Sequence, residues 1–371
     1  MSSNTAESVH SAHPPHVHLT LIDVSPDLCR SSDIEPLLNQ ALDLGCACLN
    51  ENEAMLQSSD DAKERMSKSV MRFVKPQDRY LALGSILLKS RAYHQSLLEE
   101  VGCECKVLNK SSEAPLPLVE LPRTKYNKPY LSRRSKHTIS VSHQLPYVGI
   151  TRLLQSPHCH DIPLHVGFDI AMYEAPNPKL YSTTSEFLEV FKDSFTPSEW
   201  GCIVDSSAAW FGRRRKSDED TRREFYLRWA VKEAYTKSLG LGLGHEFGKF
   251  EVVFDCCEGE QGGGGLAEAI DTFGIEGSNT RDAIIGKRLG TLGTIRYVEK
   301  DGAADQDEIW YFKFLELQGG SADCDVTSMG CACVCIGPLE AGSVSTHSDD
   351  IVKEEVSTME DVIRWHQRDC S

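Results

Sequence analysis

Several things are missing from this sequence, and each absence narrows what it encodes. No stretch approaches the ~18 consecutive apolar residues of a membrane-spanning helix. The opening MSSNTAESVHSAHPPHVH has neither a basic start nor an apolar core, so no secretory signal is expected and the chain reads as cytosolic. None of the 14 cysteines forms a C-x-x-C, which disfavours a zinc ribbon or a dithiol redox motif. G-x-S-x-G, a Walker lysine loop and H-E-x-x-H are absent as well. Positive charge is the minority sign: 39 Lys and Arg against 55 Asp and Glu leave a net charge of −16. That excludes a surface devoted to nucleic acid or anionic lipid, while leaving room for a local basic pocket.

What is present suits a folded protein. Apolar residues make up 40% of 371, enough for a packed core in one large or two medium domains. The close cysteine pairs are C-x-C: Cys46/Cys48, Cys103/Cys105 and Cys331/Cys333/Cys335. On a strand, alternate thiols share a face, where a reduced cysteine acts as a small hydrophobe. His10, His13, His16 and His18 sit in a Pro/Ser setting that reads as a tail rather than a metal site.

The apolar periodicity gives the order of elements. HLTLIDV (18–24) alternates like a half-buried strand. After an Asp/Glu/Ser-rich stretch around 50–68, PQDRYLALGSILLKSRAY reads as a helix with Pro76 in its first turn and Tyr80, Leu83 and Leu87 on one face. HTISVS and YVGITRLL flank an HQLP turn as a hairpin, and LHVGFDIAM is another strand. REFYLRWAVKEAYTKSLG (223–240) is the clearest helix, with a Thr221/Glu224 capping box expected at its start and Gly240 at its stop. KFEVVFDC, IRYVEK, IWYFKFLEL and CACVCIG read as strands. The expected fold is α+β: two pseudo-symmetric halves, each a small, mostly antiparallel sheet packed with a long helix. The expected divisions are a disordered tail at 1–15, an N-terminal half at 16–160 and a C-terminal half at 161–371. The second half should carry a flexible insertion at about 257–292 and an acidic mobile segment at about 340–361.

Three features bear on chemistry. Phe225, Trp229, Glu233 and Lys237 are spaced by four and form one helical stripe. An acid against an aromatic wall is either perturbed and available to a metal, or half of a surface Glu–Lys pair. Asp169 interrupts a strand that is otherwise apolar, and such a carboxylate needs a partner, a hydrogen bond or a cation. Together Asp169 and Glu233 make a minimal oxygen set for magnesium. Arg123, Lys125, Lys128, Arg133, Arg134 and Lys136 cluster upstream of Ser142 and His143; this is a phosphate-holding group or a solvated loop. The glycines of SLGLGLGHEFG follow a helix instead of opening one, so dinucleotide binding is disfavoured.

Taken in order, YNKPYL (126–131), ISVSHQ (139–144), VGFDI (166–170) and FYLRWAVKEAYTKSLGLGL (225–243) resemble the large, pseudo-dimeric, surfactin-synthetase-activating type of 4'-phosphopantetheinyl transferase, and RFVKPQDRYLALGSILLK (72–89) fits more loosely. The resemblance implies a holo-[acyl-carrier-protein] synthase activity: 4'-phosphopantetheine moves from coenzyme A to a serine of an apo carrier protein, releasing adenosine 3',5'-bisphosphate. Magnesium is the implied cofactor and coenzyme A the co-substrate. It further implies Asp169 and Glu233 as metal ligands and Glu233, Lys237 and Asp169 as the catalytic set. Ser142, His143, Lys232 and Lys237 would hold the coenzyme's phosphates, with Lys128, Arg72 and Arg79 as looser partners of its adenosine end. Ala171 departs from the many bacterial members that carry an acid there, as the eukaryotic cytosolic members also do. Implied partners are the carriers of fatty-acid synthase, polyketide and peptide synthetases, and the aminoadipate reductase of lysine biosynthesis. No nucleic acid or membrane is expected, and the chain should act as a monomer. The competing reading is a non-catalytic coenzyme A or carrier-protein binding module.

Overall fold

The structure, a computed structural model, describes residues 15–50, 55–58, 60–100, 115–131, 137–154, 163–204, 216–242, 245–257, 265–276, 285–298, 307–318, 329–340 and 351–367. In chain order come β1 (Val17–Asp23), α1 (Ser25–Arg30), α2 (Glu35–Leu42), β2 (Cys46–Asn50), β3 (Met55–Ser58), α3 (Asp60–Met71), α4 (Pro76–Glu100), β4 (Leu118–Glu120), β5 (His137–Gln144) and β6 (Tyr147–Leu154). Then follow β7 (His165–Met172), α5 (Thr184–Glu189), α6 (Pro197–Val204), α7 (Asp218–Leu239), β8 (Phe250–Phe254), α8 (Leu266–Phe273), β9 (Ile275–Glu276), β10 (Ile285–Tyr297), β11 (Glu308–Gln318), β12 (Met329–Leu339), β13 (Val352–Ser357) and α9 (Met359–Gln367). The class is α+β.

Two sheets carry the architecture. The first runs β13-β1-β6-β5, and the second runs β7-β12-β11-β10-β8. A small third sheet, β3-β2-β4, lies beside α3 and α4. The hairpin expected from HTISVS and YVGITRLL forms, with only Leu145 and Pro146 between its strands. Leu19, Leu21, Tyr147 and Leu153 of the first sheet share one buried cluster with Val166, Phe168, Ile170, Leu315 and Val334 of the second. The alternating apolar residues of β7 therefore face the first sheet, while Gly167, Asp169 and Ala171 face the other way. On that side α7 packs across β7 and β12. Tyr80, Leu83 and Leu87 of α4 are buried against the opposite side of the first sheet, with Ile139 and Val148.

Several expectations need correction. The cap of α7 is Ser217 with Asp220, not Thr221 with Glu224: Ser217 Oγ accepts from Asp220 N at 3.1 Å and Asp220 Oδ2 accepts from Ser217 N at 2.9 Å. The helix thus starts one turn earlier, and Glu224 instead accepts the first N–H groups of α8 from Leu266 and Ala267. Gly240 does end the helix, in the left-handed conformation at φ 70°. The glycine-rich region expected to be a flexible insertion holds α8 and most of β10, whose Leu289 and Ile295 pack into α7's core, while 258–264 and 277–284 lie outside the described residues. The acidic segment expected to be mobile contains β13, which pairs in parallel with β1 from Val17↔Val352 to Ile22↔Ser357. Val352 and Val356 share one face with Glu354, which lies within ion-pair distance of Arg288 and Lys313, while on the other face Arg91 holds Glu355 at 2.9 Å. The first sheet accordingly takes its edge strand from the far end of the chain. The tail at 1–14 and the join near 156–161 lie outside the described residues. Cys331, Cys333 and Cys335 are free and buried as expected, but Cys29 is disulfide-bonded.

Candidate active site

The site forms where β5, β7 and α7 meet. Gly167 lets α7 approach β7 closely, because a Cβ there would run into the Ala234 carbonyl. This brings the Trp229–Glu233–Lys237 stripe over Asp169. Asp169 is only 5% exposed. Its Oδ1 pairs with Lys237 Nζ at 2.5 Å and accepts from Ser142 Oγ at 2.8 Å. Ser142 Oγ accepts from Lys237 Nζ at 3.0 Å and from Ile170 N at 3.3 Å. A hydroxyl has one proton and two lone pairs, so Ser142 is saturated within the protein. The expectation that it holds a phosphate of the coenzyme therefore gives way: its hydroxyl fixes Asp169 and Lys237. Lys237 keeps one N–H to spare.

Glu233 shares the cleft with Asp169. Among the described residues no cation lies within ion-pair distance of its carboxylate. Burial, then the charge of Asp169, raises its pKa, and Lys237 only partly offsets this. Two adjacent carboxylates, one lacking a close counter-ion, are a donor set that fits a divalent cation. Among the described residues no group of three or more His, Cys, Asp or Glu side chains could hold a metal, so the protein would offer these two and leave the remaining positions to water or substrate oxygens.

Two lobes open from Lys237 and His143. One, of about 620 Å3, holds Asp169 and Glu233 under an aromatic wall that includes Phe187, Phe191, Tyr226 and Trp229. The other, of about 460 Å3, is lined by Arg72, Lys89, Arg123, Lys128 and His143, with Asp78 as its acid. Burial lowers Lys89 and Lys128 to about 8, and burial beside Lys237 and Lys89 also lowers His143. With Lys237, six cationic or imidazole side chains line this one cavity, a setting that suits a polyanion. Lys128 is anchored by donating to the Ser238 carbonyl at 3.0 Å.

Two expected residues are elsewhere. Lys232 is fully buried on another face of α7, paired with Glu199 at 2.8 Å and donating to the carbonyls of Phe247 and Phe250. One residue along a helix from Glu233 is about 100° around it, so adjacency in sequence placed Lys232 wrongly. Arg79 donates to the Phe73 carbonyl at 2.7 Å and does not line the cavity. Lys89 was not singled out from the sequence, though a lysine within an apolar helical stretch was the available signal. Gln144 and Glu174, hydrogen-bonded at 3.2 Å on the rim of the cleft, were also missed. Arg133, Arg134 and Lys136 lie outside the described residues. Ala171 lines the cleft beside Asp169 and supplies no ligand.

Comparison with known proteins falls on the same stretch. Residues 165–272, which hold Asp169, Glu233 and Lys237, match the 4'-phosphopantetheinyl transferase superfamily. A phosphopantetheinyl transferase of Thraustochytrium sp. is 35% identical over 140 residues, covering 37% of this chain and 43% of that protein. The L-aminoadipate-semialdehyde dehydrogenase-phosphopantetheinyl transferase of Homo sapiens is 29% identical over 152 residues, 39% of this chain and 42% of that one. The Xenopus laevis protein of the same name is 28% identical over 151 residues, 39% of this chain and 43% of that one. The chain thus matches less than half the length of these curated relatives. The similarity to the 4'-phosphopantetheinyl transferase superfamily thus falls on the region that builds the carboxylate cleft.

Proposed function

We propose that this protein transfers 4'-phosphopantetheine from coenzyme A to a serine hydroxyl of an apo carrier protein, releasing adenosine 3',5'-bisphosphate. The observation that carries this reading is the Asp169–Glu233–Lys237 group, at the junction of a cation-lined cavity and an aromatic-walled cleft. His143, Lys128, Lys89 and Arg72 would hold the adenosine bisphosphate end. The aromatic lobe would receive the pantetheine arm and the carrier's serine. Glu233, with its raised pKa, is suited to take the serine proton, and the spare N–H of Lys237 to protonate the leaving phosphate oxygen. Magnesium, held by Asp169 and Glu233, would neutralise charge on the pyrophosphate. Phosphoryl transfer depends mostly on such positioning and electrostatics, which suits a site with no covalent nucleophile.

The partners we propose are acidic carrier domains, including that of an aminoadipate-reducing enzyme, as the names of the relatives suggest. Fatty-acid, polyketide and peptide synthetase carriers belong to the same chemical class. Two evolutionarily paired halves, a monomeric state and a cytosolic location complete the proposal. No described helix is long and apolar enough to cross a membrane.

The test is mass spectrometry of several apo carriers after incubation with the protein, coenzyme A and magnesium. A phosphopantetheine adduct is expected. Asp169→Ala and Glu233→Ala should each lower turnover by at least ~100-fold while the fold survives. Binding of coenzyme A without any adduct on any carrier would favour a binding module instead.

A further inference from the structure

The two large sheets meet along β5 and β7 without backbone hydrogen bonding between those strands. Three alternate side chains of β5 do that work. Phe168 N donates to Ser140 Oγ at 3.1 Å, Ile170 N to Ser142 Oγ at 3.3 Å and Met172 N to Gln144 Oε1 at 3.1 Å, each pair 28 residues apart. The constant offset means that the strands run parallel and in register, with side-chain oxygens standing in for the carbonyls of a missing neighbour. Without them, three strand N–H groups would be left without acceptors.

The seam separates the two halves of the site. His143, Lys89 and Lys128 come from β5, α4 and the 123–129 loop, on the first sheet's side. Asp169 and Glu233 come from β7 and α7, on the second's. The apolar layer between the sheets is non-directional and sets their separation, not their register. Register falls to directional bonds: the three from β7, joined by Tyr147 donating its hydroxyl to the Gln318 carbonyl at 2.9 Å. Ser142 and Gln144 also bond to groups at the cleft, Asp169 and Glu174, whereas Ser140 bonds to no carboxylate among the described residues.

We propose that Ser140 is a positioning residue: its hydroxyl fixes the register of β7 against β5 and so holds Asp169 at its working place relative to His143. This rests on the transferase reading for its kinetic consequences, but not for its structural one. The experiment compares Ser140→Ala, Ser140→Thr and Ser140→Cys with the parent. Amide hydrogen exchange over 165–172 should be faster in Ser140→Ala and return toward the parent's in Ser140→Thr, which keeps the hydroxyl. With a carrier and coenzyme A, kcat should fall about tenfold in Ser140→Ala and need more magnesium. Ser140 also lines the basic cavity, but the groups proposed to hold adenosine 3',5'-bisphosphate are His143, Lys128, Lys89 and Arg72, all on one side of the seam, so its Kd should stay within about twofold. A raised Kd with unchanged kcat would make Ser140 a ligand contact and overturn the proposal. Parent-like exchange in Ser140→Ala would overturn it too. Where Ser140→Ala fails to fold, Ser140→Cys, nearly isosteric with a weak acceptor, is read by the same measurements. A parent that modifies no carrier would count against the transferase reading alone, because the exchange measurement still decides the register.

Discussion

Gly167 on β7 lies directly beneath the carbonyl of Ala234 on α7, with the Cys335 thiol as its next neighbour. No side chain fits between strand and helix there, and the closeness sets the height of Glu233 and Lys237 above Asp169. The glycine of VGFDI is therefore a spacing device, with the aspartate two residues further on the same face.

Gly167→Ala should push α7 away from β7, costing about 1–3 kcal/mol in urea unfolding and lowering transfer activity by more than the stability loss explains. Adding Cys335→Ala should not restore either, because the obstruction is backbone. Recovery in the double variant would show that the thiol, not the helix, limits the space.

How much of this was legible in the sequence depends on what each residue answers to. β5, β6, β7 and α7 were readable because their periodicity and stop signals are local, and Asp169 stood out as a lone acid in an apolar strand. The α7 start was misread because Thr221/Glu224 fits the same capping pattern as Ser217/Asp220, and only the burial of Glu224 under α8 separates them. β13 was misread because its partner β1 lies at the opposite end of the chain, so nothing nearby signals pairing. Within the site, Glu233 and Lys237 followed from the four-residue spacing. Lys232 did not, since a lysine's interior partner, here Glu199, comes from a separate helix.

Lys232 and Glu199 are both nearly inaccessible, at 0% and 3% exposure. Removing one partner of such a pair strands a buried charge, so Lys232→Met should destabilise by about 3–5 kcal/mol. Lys232→Met with Glu199→Gln should recover much of this. If Lys232 instead served the coenzyme, Lys232→Met would unfold at the parent's denaturant midpoint and raise the KM for coenzyme A; that result would restore the residue to the binding cavity.

His366 is fully buried where α9 closes against α4, with Nδ1 3.0 Å from the Leu116 carbonyl and its ring edge-on to His94 at 5.8 Å. Burial, then His94, lowers its pKa from 6.5 to about 4. Between those values the unfolded chain binds a proton that the folded one does not. Stability present above 6.5 is therefore lost as pH falls toward about 4, by on the order of 3 kcal/mol. Urea midpoints measured from pH 7.5 to 4.5 should drop less steeply for His366→Gln than for the parent. Parallel curves would place the acid sensitivity elsewhere.

The basic cavity makes a proton-linked prediction. With Lys89 and Lys128 lowered to about 8 and His143 also lowered, an unliganded cavity near pH 8 is only partly protonated. A phosphate-bearing ligand favours the charged form of each group and raises its pKa on binding. Binding of coenzyme A or adenosine 3',5'-bisphosphate at pH 8 should therefore take up protons, and affinity should weaken as pH rises through about 8. Calorimetry in buffers of different ionisation enthalpy reads the uptake directly. Lys89→Met should reduce it and raise Kd about ten- to a hundredfold, the scale of one charge-assisted hydrogen bond. His143→Ala should raise the KM for coenzyme A far more than that for the carrier. A binding enthalpy independent of buffer at pH 8 would mean that the ligand's phosphates lie away from Lys89 and Lys128. A carrier KM that rises alone in His143→Ala would move the coenzyme out of this cavity and make the β5 turn part of the docking surface.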